Sequence, residues 1–204
     1  MTCAAALGDP ASGRRYDHVA ITLHWVVAIG VISQILLGLW MIDIPKQPPG
    51  VRAYWFNLHK SIGITLGVLI MARRAWRLTH RAPPLPSSMP RWQARAARVS
   101  HLLLYACMIT MPLAGYLGSA YSGYPIKYFG ATLPAWGWKD EALKDFFSTV
   151  HFTAALLFIS LITLHVLAAL RHLWFDRDGV FHRMWPGRRA SESQRPTVVP
   201  GQGA

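Results

Sequence analysis

Four long stretches of this chain contain no Lys, Arg, Asp or Glu: residues 21–42, 61–72, 99–121 and 146–170. A helix rising 1.5 Å per residue needs roughly 20 apolar residues to cross the hydrocarbon core of a bilayer. The first, third and fourth stretches exceed that length. The second reaches it only if its helix starts near Tyr54 and takes in His59 and Lys60. The remaining composition agrees, with 52% apolar and 15% charged residues, against about 25% charged in an ordinary soluble domain. The expectation is an all-α membrane protein, a four-transmembrane-helix antiparallel bundle. Residues 16–187 form the membrane domain, between an N-tail at 1–15 and a disordered, polar C-tail at 188–204.

Orientation follows from counting cations, because short cytoplasmic loops carry the excess of Lys and Arg. Of the 21 Lys and Arg, fifteen fall in the N-tail, around the loop after the second span, and in the C-tail. Both termini are therefore expected on the cytoplasmic side of a bacterial inner membrane. The net charge of +12 raises nucleic acid as a partner. That reading is set aside, since the basic residues flank apolar spans and no zinc-finger spacing or detached basic helix is present. The expected contact is with membrane lipid. Residues 1–16 do not read as a cleaved signal, because the short apolar run precedes Arg14 and Arg15 instead of following them. The first span then serves as an uncleaved anchor. Cys3 and Cys107 give no disulfide framework, and a lone Cys inside a helix reads as a small apolar filler.

Breaks between the spans are marked by proline. Residues 44–50 hold three prolines and residues 81–90 hold four, so both segments leave the membrane. Residues 122–145, rich in Gly, Pro and Trp, form the longest external connection and a candidate cover for whatever lies beneath.

The chemistry lies in the histidines. Of nine in the chain, His24, His101, His151 and His165 sit inside or at the ends of spans, and His59 joins them if the second span starts as placed. Ionisable groups in a membrane are costly and normally face the bundle interior. His165 follows His151 by 14 residues, a drop of about 21 Å, and the turn falls only about 40° short of four full rotations. One helix thus offers two imidazoles on one face at two depths. His59 matches the outer depth of His151, and His24 the inner depth of His165. Two stacked bis-imidazole pairs suit two b-type haems (heme b), since imidazole is a common iron ligand and bundles build cofactor sites from facing helices. His101 lies at the inner depth too, either as an alternative ligand or as a hydrogen-bond partner. A carboxylate-bridged di-iron site is excluded by the absence of glutamate from every span, and zinc by the spacing and company of the histidines.

Other residues suit such a site. Gly63, Gly67, Gly115 and Gly118 make room for a macrocycle or for close helix contact. Arg73, Arg74 and Arg77 end the second span. Arg73 and Arg77 are candidates to hold cofactor propionates, with snorkelling to lipid phosphate as the alternative. Phe158 lies between the two inward histidines of the fourth span, where core packing alone also explains it. No nucleophile or general base stands out, so catalytic residues remain unassigned.

At this point the sequence resembles the bacterial cytochrome b561 family, which includes the membrane superoxide oxidase. The matching pieces are Leu23-His24-Trp25, Asn57-Leu58-His59-Lys60-Ser61-Ile62-Gly63, His101-Leu102-Leu103-Leu104-Tyr105, and the run from His151 through His165 to Arg171-His172 and Arg183-Met184-Trp185-Pro186. They cover roughly residues 16–187. The resemblance implies a diheme electron-transport cytochrome in which the first and fourth spans share one haem iron and the second and fourth the other. Carried over, that pairs His24 with His165 and His59 with His151. It also implies oxidation of superoxide outside and transfer of electrons to ubiquinone, the quinone of the membrane. The alternative is a haem-bearing anchor subunit relaying electrons for a soluble redox partner such as a hydrogenase or formate dehydrogenase. Lys60, Lys127, Lys139 and Lys144 would attract an anion from outside, although they read equally as ordinary loop lysines, and Asp140, Glu141 and Asp145 dilute their field.

Overall fold

A computed structural model describes residues 15–85 and 89–187. The expectations for residues 1–14 and for the C-tail at 188–204 lie outside the described residues. Helix α1 spans His18–Met41, α2 Val51–Thr79, α3 Arg91–Ala120 and α4 Glu141–Arg171. All four are long and apolar enough to cross a membrane. Consecutive helices run in opposite directions, and α1 packs on α2, α2 on α3 and α3 on α4. The chain is a multi-pass membrane protein.

Helix ends follow local chemistry. Asp17 caps α1 by accepting from Ala20 N–H at 2.8 Å, and Asp140 caps α4 by accepting from Leu143 N–H at 3.0 Å. Each satisfies one of the donors that a helix start leaves without a partner. The Asp140 cap starts α4 at Glu141, five residues before the charge-free stretch. Three charged residues of the expected loop, Glu141, Lys144 and Asp145, therefore stand on the first turns of the helix. Likewise α2 begins at Val51, just after the prolines, and so contains His59 and Lys60.

The interior is thin. Val27, Val31, Leu66, Ile70, Leu104, Cys107, Phe158 and Leu161 form the buried core. Leu36, Val68, Leu102 and Leu164 are each more than 60% exposed. An apolar belt of this kind is costly in water and natural in lipid.

The two ends of the bundle are closed differently. At one end, residues 121–140 fold into a small hairpin. Strand β1, Lys127–Tyr128, pairs antiparallel with β2, Ala131–Thr132. Both turn residues, Phe129 and Gly130, have positive φ, as tight hairpins require. Ser61, only 1% exposed, fastens this hairpin to α2. It donates to Asn57 O at 2.8 Å and accepts from Phe129 N–H at 2.9 Å. At the other end, which carries the start of α1, the chain leaves α4 through a π-turn at His172–Asp176 and a short 3-10 turn at Phe181–Arg183. That segment folds back on α1: Trp25 Nε1 donates to Met184 O at 2.7 Å, and Arg15 donates to Trp185 O and Gly187 O. Arg183 is buried and donates to Pro84 O.

Candidate functional site

At the hairpin end the rings of His59 on α2 and His151 on α4 face one another, with centres 6.3 Å apart and planes at 77°. His151 Nδ1 lies 2.9 Å from Met111 O on α3. A carbonyl only accepts, so Nδ1 carries the proton and the Nε2 lone pair is left free. Metal-bound histidines are commonly held this way. The seat is made by α3: a Cβ on Gly115, one turn after Met111, would stand 3.1 Å from the His151 ring. Facing it, Gly38 on α1 makes room for His59, where a Cβ would lie 3.3 Å from Cε1. His59 Nδ1 is buried and has no hydrogen-bond partner among the described residues.

The amino-terminal end gathers three imidazoles and a guanidinium. His24 on α1 and His165 on α4 lie 6.5 Å apart at 67°. His101 on α3 lies 5.5 Å from His165. Arg73 on α2 reaches His24 Nδ1 at 2.7 Å. A guanidinium only donates, so this bond places the proton of a neutral His24 ring on Nε2. Arg73 Nε is also buried, without an acceptor among the described residues.

These arrangements can be tested against a metal held between two rings. With metal–nitrogen bonds of roughly 2 Å on either side, two imidazole centres stand about 6.3 Å apart. The 6.3 Å and 6.5 Å pairs fit. The 5.5 Å separation of His101 from His165 is shorter than that sandwich requires. The two pairs are placed by α4, and they join it to α2 at one level and α1 at the other. Neither α1 nor α2 packs extensively on α4, which suits a flat apolar group standing between them. The hairpin-end pair fits as it stands. The other fits in spacing; there Arg73 would pair with a carboxylate of the bound group in place of His24, which would let His24 offer its Nε2.

The remaining sequence candidates separate. Arg77 lies over the Tyr16 ring at 4.8 Å and Arg74 over Tyr105 at 4.8 Å, so only Arg73 reaches a histidine pair. Gly67 serves helix contact, facing Pro112, and Gly118 faces Phe147 and Ser148. Phe158 is 5% exposed in the core cluster between the two levels. Lys139 and Lys144 pair with Glu141 at 3.7 and 2.8 Å, while Lys60 and Lys127 have no acidic partner among the described residues. Sequence reasoning passed over Gly38 and Gln34. Gln34 sends Nε2–H to His59 O at 2.8 Å, and its signal was available as the one amide side chain in the four charge-free stretches. A separate cluster at the end of α4, His172, Asp176 and Asp178, has ligand-type atoms within 4.8 Å of one another. Its groups already satisfy one another, with His172 Nδ1 2.7 Å from Asp178 and Arg171 3.5 Å from Asp176.

Known proteins resemble this chain over most of its length. The family model for prokaryotic cytochrome b561 matches residues 15–187. Cytochrome b561 homolog 2 of Escherichia coli (strain K12) is 36% identical over 176 residues, covering 83% of this chain and 90% of that protein. Cytochrome b561 homolog 1 of the same strain is 29% identical, covering 86% and 99%. The probable superoxide oxidase CybB of Yersinia pestis is 28% identical, covering 86% and 98%. The chain belongs to the prokaryotic cytochrome b561 family of haem-binding membrane electron-transfer proteins.

Proposed function

We propose that this cytochrome holds two b-type haems, one between His59 and His151 and one between His24 and His165, and relays single electrons from a donor at the hairpin end to quinone in the membrane. The observation that carries this reading is the presence on α4 of two inward imidazoles, each facing a second ring at 6.3 or 6.5 Å. Bound haem supplies a reversible one-electron change at iron, with its potential set by axial ligands and by the groups around them. The protein's part is to hold and insulate. Met111 O fixes the His151 tautomer, and Gly38 and Gly115 admit the outer rings. Val27, Val31, Phe158 and Leu161 keep water from the space between the levels. Arg73 supplies a positive charge beside the other pair. The cation distribution supports cytoplasmic termini in a bacterial inner membrane, with the hairpin end outside.

Superoxide is the proposed donor and ubiquinone the proposed acceptor. The name of the Yersinia pestis relative supports the donor. So do Lys60 and Lys127, which form no ion pair among the described residues and would draw a small anion toward the hairpin end.

The test is haem stoichiometry with a redox titration of the purified chain. The expected result is two haems per chain, titrating separately. His59→Ala and His151→Ala each lose the same haem, and His24→Ala and His165→Ala lose the other. One haem per chain, or loss of both from any single variant with the bundle intact, contradicts the reading. The purified chain alone should then reduce a ubiquinone analogue with superoxide. A chain that holds both haems but is inert in that assay would instead be an anchor for a soluble oxidoreductase.

A further inference from the structure

Two buried polar atoms at the hairpin end lack partners among the described residues, and they complement one another. One is His59 Nδ1; the other is Gln34 Oε1. If His59 gives its Nε2 lone pair to a metal, its Nδ1 must carry the proton and becomes a donor. An amide oxygen is an acceptor. A buried donor or acceptor left without a partner is destabilising, and these two atoms belong to residues that already meet at the α1–α2 contact.

Gln34 is already attached to the right residue. Its Nε2–H donates to His59 O at 2.8 Å, across the α1–α2 contact and in addition to the helix ladder. Gly63 keeps this path open, since a Cβ there would lie 3.3 Å from Gln34 Nε2. Gln34 and Gly38 stand one turn apart and therefore on the same face of α1. Gly38 touches the His59 ring, with a built Cβ 3.8 Å from Nδ1. The face of α1 that carries Gln34 is thus the face against which the imidazole rests. His151, the opposite ring, has its own Nδ1 committed to the Met111 carbonyl at 2.9 Å, so a carbonyl-type acceptor on His59 would make the two rings of the pair equivalent.

We infer that Gln34 is the positioning residue for His59, holding the backbone through its amide nitrogen and taking the Nδ1–H through its amide oxygen. This deepens the diheme reading and rests on it. An acceptor on Nδ1 makes an imidazole a stronger donor to iron, which favours the ferric state, and hydrogen bonding around the ligands is one of the levers on haem potential.

The experiment is a redox titration of the full haem-loaded chain with Gln34→Met, which keeps the length and removes the acceptor, and with Gln34→Glu, which keeps an acceptor oxygen. The haem concerned is the one lost in His59→Ala. In Gln34→Met its midpoint should rise, so that its ferrous-to-ferric ratio at a fixed applied potential increases about fivefold, equivalent to about 1 kcal/mol, while the other haem is unchanged. In Gln34→Glu the midpoint of the same haem should stay or fall. Two normal potentials in Gln34→Met, equal shifts of both haems, or a rise in Gln34→Glu matching that in Gln34→Met would overturn the Gln34 assignment and leave the diheme reading intact. If His59→Ala loses no haem, both readings fall together.

Discussion

At the hairpin end, His151 has its Nδ1 on a backbone carbonyl. At the amino-terminal end, His24 has its Nδ1 on a guanidinium. The first partner accepts and the second donates, and this one difference gives the two pairs opposite characters. On the diheme reading, the hairpin-end pair suits a metal as it stands: the His151 tautomer is fixed, Gly38 and Gly115 shape the seat, and Ser61 ties the covering hairpin to α2. The amino-terminal pair starts with His24 in the unsuited tautomer, a third imidazole within 5.5 Å of His165, and a cation whose Nε still lacks an acceptor. A positive charge in a low-dielectric interior favours the reduced, more negative state of whatever stands beside it. On the diheme reading, the guanidinium therefore biases electrons toward the amino-terminal end, an effect that a carboxylate paired with it would reduce.

The largest effect that would break this comparison concerns His101. Geometry gives the partnership with His165 to His24, at 6.5 Å, and leaves His101 too close for the same role. His24→Ala should lose one of two haems, and His101→Ala should keep both while shifting the potential of the amino-terminal one. Haem stoichiometry of the two variants decides it. The reverse pattern would make His101 the ligand and would explain why Arg73 can afford to occupy His24.

Much of this was legible in the sequence because it lies along single helices. The 14-residue spacing of His151 and His165 sets depth and face together, and charge-free length locates three spans directly. What remained hidden depends on how one helix is rotated against another. Gly115 and Gly118, three residues apart on α3, are equivalent as sequence. In the fold a Cβ added to the first would stand 3.1 Å from the His151 ring, and one added to the second 3.6 Å from Phe147. Gly38 carries no mark in the sequence; only the fold shows that a Cβ there would crowd the His59 ring at 3.3 Å. Arg73 and Arg77 are likewise one turn apart, yet one reaches His24 and the other lies over Tyr16. The start of α4 is not legible for a different reason: the Asp140 cap draws charged residues into the helix, and charge-free length cannot detect that.

The glycine difference sharpens the comparison at intermediate size. Gly118→Ala adds a methyl at ordinary contact distance and should hold or raise stability by roughly 0.5–1 kcal/mol, since Ala is the better helix former. Gly115→Ala pushes on a ring that Met111 O holds in place, and overpacking of this kind costs about 1–3 kcal/mol. Thermal release of haem should therefore begin earlier in Gly115→Ala, from the hairpin-end pair alone. Equal melting of both variants would mean that the His151 seat is loose.

The smallest expected effect lies at the amino-terminal end, where the α1 cap also binds α2. Asp17 Oδ1 accepts from Ala20 N–H at 2.8 Å and from Trp76 Nε1–H at 3.1 Å. Slight desolvation opposes its ionisation, but these bonds, with smaller help from its own backbone N–H and from His80, outweigh it and hold the carboxyl below its usual value of 3.8. A carboxyl depressed by folding contributes stability that is fully present above its unfolded pKa and is lost as pH falls through the lowered folded value. Acid should therefore loosen the junction of α1 and α2 beside the His24 pair. Asn is as good a helix cap as Asp, so Asp17→Asn keeps an acceptor for both donors and removes the titration. Its unfolding midpoint should match the parent at pH 7 and fall less steeply below pH 4, whereas Asp17→Ala should lose about 1 kcal/mol at every pH above that. If Asp17→Asn shows the parent's full acid sensitivity, the acid-labile contact lies elsewhere, and the amino-terminal end is held by the return of residues 181–187 onto α1 instead.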